Sequence, residues 1–337
     1  MSLDKRRTTS FAFHLLLGLA ILTGMFAAAM IFGAADDATV RDVWLAIFSN
    51  ASEEKITIVR ELRLPRELAA VVVGAALAVS GAIMQGLTRN PLADPGLLGL
   101  TAGANAALAF VIALLPSTGY FGKTVACFIG AAVGTFLVLG IGAVKKGGLS
   151  PLRIVLAGAA VSAFLYATAE GIGLAYKVTK DVSMWTAGAL IGTTWGQLQS
   201  ISPVIGAGIV VALLLSRQLT ILSVNEEAAV GLGLRTVYVK IVLYVVVILL
   251  AGASVALVGN LAFLGLMVPH IVRAMSGTDY RSVLPLSAVW GAVFMLLADT
   301  LARTLNAPYE TPVTAIIAMI GLPFFLFIVR KGVKSLS

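Results

Sequence analysis

Long apolar runs separated by short polar breaks dominate the chain. Averaged over about 19 residues, hydropathy predicts ten helices, at 11–33, 67–88, 96–115, 122–143, 153–175, 200–216, 237–257, 260–275, 283–303 and 311–330. Most approach the roughly 20 apolar residues that a membrane-crossing helix needs. The first follows MSLDKRRTTS, and its apolar part exceeds a signal-peptide core, so it reads as a membrane helix entering from the cytoplasm. The run at 200–216 is short, and 260–275 carries Pro269 and His270, which predicts a broken or tilted helix. Segment 183–199 is too polar to cross and is expected to lie near the surface as a short helix anchored by Trp185 and Trp195.

Composition agrees with the pattern. Hydrophobic residues make up 59% of the 337 and charged residues 12%, against about 25% charged in soluble domains. The expected fold is an all-α integral membrane protein of about ten transmembrane helices, a single domain over 1–337. Many of the 34 glycines fall on predicted helices, where small residues allow close packing. Gly74–Pro91 and Gly252–Pro269 resemble each other, which raises the prospect of an internal repeat of the kind seen in transporters.

Charge orients the helices. With ten crossings both termini share a side, and that side takes fifteen of the 24 Lys and Arg but five of the 16 acids. The balance is +10 against −2, so the positive-inside rule places both termini in the cytoplasm. Segment 34–66 is then extracytoplasmic and 222–234 cytoplasmic. The net charge of +8 suits this asymmetry better than nucleic-acid binding, since no run of five basic residues exists.

Candidate chemistry is sparse. Cys127, the one cysteine, sits in an apolar run and excludes an intrachain disulfide. GYFGKT at 119–124 fails as a phosphate loop because Ser117 stands where its first glycine is needed. His14 and His270 have no ligand-spaced partners. Glu170 is read as a carboxylate at the outer end of the fifth span, and Asp299 and Arg303, four apart, can pair on one helix face. With no acid–base chain through the membrane, a gradient-driven carrier is disfavoured and the chain is not read as an enzyme.

LSVNEEAAVGLGLR, 222–235, interrupts this oily pattern. Ser223 and Glu226 have capping-box spacing, Glu226 and Glu227 suit a helix N-terminus, and Gly231 or Gly233 can end the helix. About two turns long, such a helix needs a dock, either on its own subunit or on a cytoplasmic partner.

RLPRELAAVVVGAALAVSGAIMQGLTRNPLADPGLLGLTAGA (63–104) resembles the permease subunits of ABC importers for ferric siderophores, haem and vitamin B12. So do LRIVLAGAAVSA (152–163), LSVNEEAAVGLGL (222–234), GNLAFLGLMVPHIVR (259–273) and LLADTLAR (296–303), in family order. The resemblance implies a bacterial inner- or plasma-membrane permease that pairs with a second permease, identical or paralogous. It implies two cytoplasmic ATPase subunits, which hold the ATP and Mg, and an extracytoplasmic substrate-binding protein. No cofactor is bound by the permease, and no nucleic acid is a partner. It assigns Ser223, Asn225, Glu226, Glu227, Ala228, Gly231 and Gly233 to a helix that couples to the ATPase. It assigns Arg63, Arg66 and Arg303 to docking the binding protein through carboxylates, and Leu92, Ser150 and Pro151 to a cytoplasmic gate. A ferric siderophore is the expected cargo, with haem or cobalamin as alternatives and an ion-coupled carrier as the more distant one.

Overall fold

The computed structural model describes residues 3–33, 38–143, 151–186 and 190–331. Helices account for nearly all regular structure among them. In order they are α1 (Leu3–Ile31), α2 (Val40–Phe48), α3 (Glu54–Ile58), α4 (Leu64–Thr88), α5 (Leu100–Leu114), α6 (Tyr120–Ala143), α7 (Pro151–Tyr176), α8 (Thr179–Thr186), α9 (Trp195–Leu214), α10 (Ser216–Val224), α11 (Glu226–Gly231), α12 (Thr236–Val258), α13 (Leu264–Ser276), α14 (Tyr280–Thr304) and α15 (Val313–Lys331). A π-helical turn, Val59–Arg63, joins α3 to α4, and a 3-10 turn, Pro95–Leu98, precedes α5.

Each predicted span coincides with a helix. Seven helical stretches are long and apolar enough to cross a membrane, and α5, α13 and the apolar part of α15 are shorter. The break expected from Pro269 and His270 does not occur, since α13 runs through both; the discontinuity lies before it, where Gly259 ends α12 and Phe263, at φ 68°, starts the short α13.

Two expectations are corrected. Segment 183–199 is not one surface helix: Trp185 belongs to α8 and stacks on Tyr120 at 4.4 Å, whereas Trp195 opens the long α9. Trp195 donates through its indole N–H to the Arg60 carbonyl at 3.2 Å, which fixes the ring against the protein. The suggested repeat also fails, because Gly74–Thr88 runs through continuous α4 while its counterpart crosses the break at Gly259.

The described residues form two compact units, one within 1–82, 190–199 and 262–337, the other within 83–189 and 200–261. Glycine sets the helix spacing in both. In the first, α1 packs on α14, where Gly18 faces Val289 and Trp290. Side chains at Gly74 and Gly81 would overlap the carbonyls of Gly291 and Gly265, so α4 approaches α14 and α13 at backbone distance. In the second, α5 lies against α6 through Gly103, Gly130 and Gly134, and Gly158 of α7 meets the Leu97 carbonyl. Helix α12 is buried almost continuously over its C-terminal half, packing on α6 and α5.

Candidate functional site: a pinned surface helix and a buried ion-pair cluster

The 222–235 segment lies in the second unit and is built differently from its capping-box reading. Ser223 belongs to α10, where its hydroxyl donates to the Thr220 carbonyl at 2.8 Å. The chain extends at Asn225, whose side chain accepts the Glu227 amide at 2.8 Å and so caps α11. An asparagine at this position suits a cap as well as a serine does. Helix α11 has six residues, and Gly233, at φ 79°, turns the chain toward α12. That left-handed backbone favours glycine.

Glu226 fastens this short helix. Its carboxylate pairs with Arg89 at 3.1 Å, just beyond α4, and with Lys240 on α12. Ala229 and Leu222 are buried beneath it. The opposite side is bare: Val224 is 77% exposed, Val230 58% and Leu232 70%, with Glu227 and Ala228 exposed among them. A helix too short to persist alone is thus pinned on one side and presents apolar side chains on the other.

The NPLADP turn starts at Arg89, whose φ of 51° departs from helix. Asn90 accepts the Leu92 amide at 3.0 Å, and Asp94 caps the 3-10 turn by accepting the Gly96 amide at 2.8 Å. Burial pushes the Asp94 carboxyl up to about 6, against the Gly96 amide, which pulls it down. Leu92 is half-buried on this turn. Ser150, expected to face it, lies outside the described residues; Pro151 opens α7, but its side chain also lies outside them.

The three arginines assigned to docking lie in the first unit and are buried there. Arg63 donates to the Met30 and Ile31 carbonyls at 3.0 and 2.8 Å, closing the C-terminal end of α1. Arg66 forks onto two carboxylates, with bonds of 2.8–3.2 Å to Asp299 and of 2.9 and 3.0 Å to Glu310. Arg303 contacts Glu67 at 2.6 Å and Asp299 at 3.2 Å, so the pairing expected four residues apart is present. Two arginines and three acids thus offset one another to one net negative charge in a largely buried cluster, where an unpaired charge is prohibitive. Glu310, 23% exposed on its side chain, is the most accessible member.

Sequence reasoning missed Glu67, Glu310, Arg89 and Lys240. Glu67 adjoins Arg66 in sequence and could have been suspected. Glu310 lies 244 residues from Arg66 and Arg89 lies 137 from Glu226, separations that no local pattern bridges.

Comparison with known proteins follows this geometry. Residues 19–331 match the FecCD transport family. The iron(3+)-hydroxamate import system permease protein FhuB of Bacillus subtilis is 41% identical over 331 residues, spanning 98% of this chain and 86% of that protein. The hemin transport system permease protein HmuU of Yersinia pestis is 41% identical over 278 residues, 80% of this chain and 82% of that one. A solved ABC transporter of metal-chelate type, in an inward-facing conformation, superposes with a TM-score of 0.82 at 26% identity, covering 94% of this chain and 98% of its own. This multi-pass membrane chain belongs to the FecCD transport family.

Proposed function

We infer that the chain imports a ferric siderophore, received from an extracytoplasmic binding protein and moved at the expense of ATP hydrolysed on separate subunits. The permease role itself, as opposed to an enzymatic one, follows from family membership and the helical membrane fold. Identity does not choose the cargo, since the hydroxamate and hemin relatives are both 41% identical. Relatives named for iron(3+)-hydroxamate, Fe(3+)-citrate and ferric enterobactin transport support a ferric chelate as the cargo.

The observation that carries the coupling mechanism is α11, pinned through Glu226 and bare at Val224, Val230 and Leu232. Exposed apolar side chains on a small polar-rimmed helix suit a groove on a protein partner. An ATPase closing on that face would push Glu226 against Arg89 and Lys240, and so against the end of α4 and against α12. With both termini cytoplasmic, α11 lies on the side where ATP is available. The arginine cluster then lies on the extracytoplasmic side. Docking of acidic residues there would require Glu310 to give up Arg66, a carboxylate-for-carboxylate exchange.

Uptake into proteoliposomes holding the full complex, across ferric hydroxamates, ferric citrate, haem and cobalamin, with and without ATP, tests this reading. ATP-dependent entry of a ferric siderophore is expected; entry of haem or cobalamin alone would replace the cargo, and entry without ATP would overturn the mechanism.

A further inference from the structure

In the second unit, α5, α7 and α8 meet around a cavity of about 160 Å³ lined by Asn105 from α5, Tyr166 and Glu170 from α7, and Thr179 and Ser183 from α8. Glu170 lies six residues before the end of α7, about 9 Å of helix rise, inside the apolar span Leu152–Tyr176. Among the described residues, Asn105 Oδ1 is buried without a hydrogen-bond partner, and the exposed side chains of Tyr166, Glu170 and Thr179 beside it have no hydrogen-bond or ion-pair partner. Lys177 and Lys180, the basic residues nearest in sequence, are both exposed and do not pair with Glu170. An acid within a membrane helix that has no counter-charge is a functional feature by default.

The chemistry of these groups defines what would satisfy them. The carboxylate and the Asn105 oxygen only accept, and the hydroxyls can accept. A single ligand that engages all of them at once, other than water, brings positive charge. One carboxylate balances one charge; calcium sites draw on more, and among the described residues no group of three or more His, Cys, Asp or Glu comes together. At roughly 30 Å³ per water, the volume accepts an ion with about four waters. It is below the roughly 300 Å³ at which small-molecule sites begin, so the pocket by itself does not enclose an entire chelate.

We propose that this cavity binds a partly hydrated alkali cation between Glu170, Asn105 and the Tyr166 and Thr179 hydroxyls. The ion joins three helices and holds the eight-residue α8 against α7 and α5. The proposal is independent of the cargo, and its test needs neither ATP nor chelate.

The test is ²²Na⁺ binding by the assembled transporter in nanodiscs, with choline as the inert cation. Saturable binding displaced by unlabelled sodium is expected in the unaltered protein. Glu170→Gln and Asn105→Ala should each weaken it about tenfold or more, the scale of losing a charge-assisted contact. Sodium should also raise the thermal midpoint relative to choline, and Glu170→Gln should abolish the rise while the complex still assembles. Absence of saturable binding, or equal binding by Glu170→Gln, overturns the proposal and leaves the import reading intact.

Discussion

Replacing Arg303 by leucine should destabilise the protein severely, because of what the substitution leaves behind. Arg303 is 3% exposed and contacts Glu67 and Asp299, whose side chains are fully buried. Glu67 has no hydrogen-bond partner beyond this ion pair among the described residues, so Arg303→Leu strands its carboxylate. The cluster of two arginines and three acids carries one net negative charge, and losing Arg303 makes it two. Breaking a buried pair from one side costs about 3–5 kcal/mol, whereas exchanging both partners for apolar groups is often neutral. Arg303→Leu is therefore expected to lose about 3–5 kcal/mol, and Arg303→Leu with Glu67→Leu to recover most of it. Equilibrium unfolding in lipid discs by steric trapping, with a double-mutant cycle, measures both. A single variant within about 1 kcal/mol of the parent, or a double variant no better than the single, would refute the account of a mutually neutralised cluster.

Lysine at both Glu226 and Glu227 should abolish ATPase association and transport, read by co-purification and uptake. Stability should change by only about 1 kcal/mol, since the Glu226 side chain, 39% exposed, pairs near the surface. Asp94, with its carboxyl raised to about 6 by burial, is more easily protonated folded than unfolded. Its contribution to stability is therefore largest below pH about 4 and falls as pH rises through about 6. Asp94→Asn should flatten that part of the thermal-midpoint profile; an unchanged slope would count against a raised Asp94 carboxyl. Gly81→Ala should cost about 1–3 kcal/mol or block folding, because its Cβ would overlap the Gly265 carbonyl. A fluorescence-detected thermal melt reads this, and parent-like behaviour would mean the helices can separate.

Ten helices were legible in the pattern of apolar residues because an apolar run of about 20 residues crosses a bilayer by local physics. The discontinuity before α13 was not, because it falls at Gly259–Phe263 while α13 accommodates Pro269 unbroken. The short helix at 226–231 was legible too, through its acids and glycines, although the choice between Ser223 and Asn225 as cap depended on where α10 ended. The family was legible because RLPR, NPLADP and the 259–273 motif are long and occur in order. Tertiary structure alone decided what the charged residues do. Arginines that looked like offered forks are held by Glu67, Asp299 and Glu310, and Glu226 is held by Arg89 and Lys240. Apolar burial follows from a residue's own chemistry and its helical period, whereas an ion pair depends on which distant residue arrives opposite. The sequence by itself therefore determined where the chain crosses the membrane, and only packing determined which of its charges remain available to a partner.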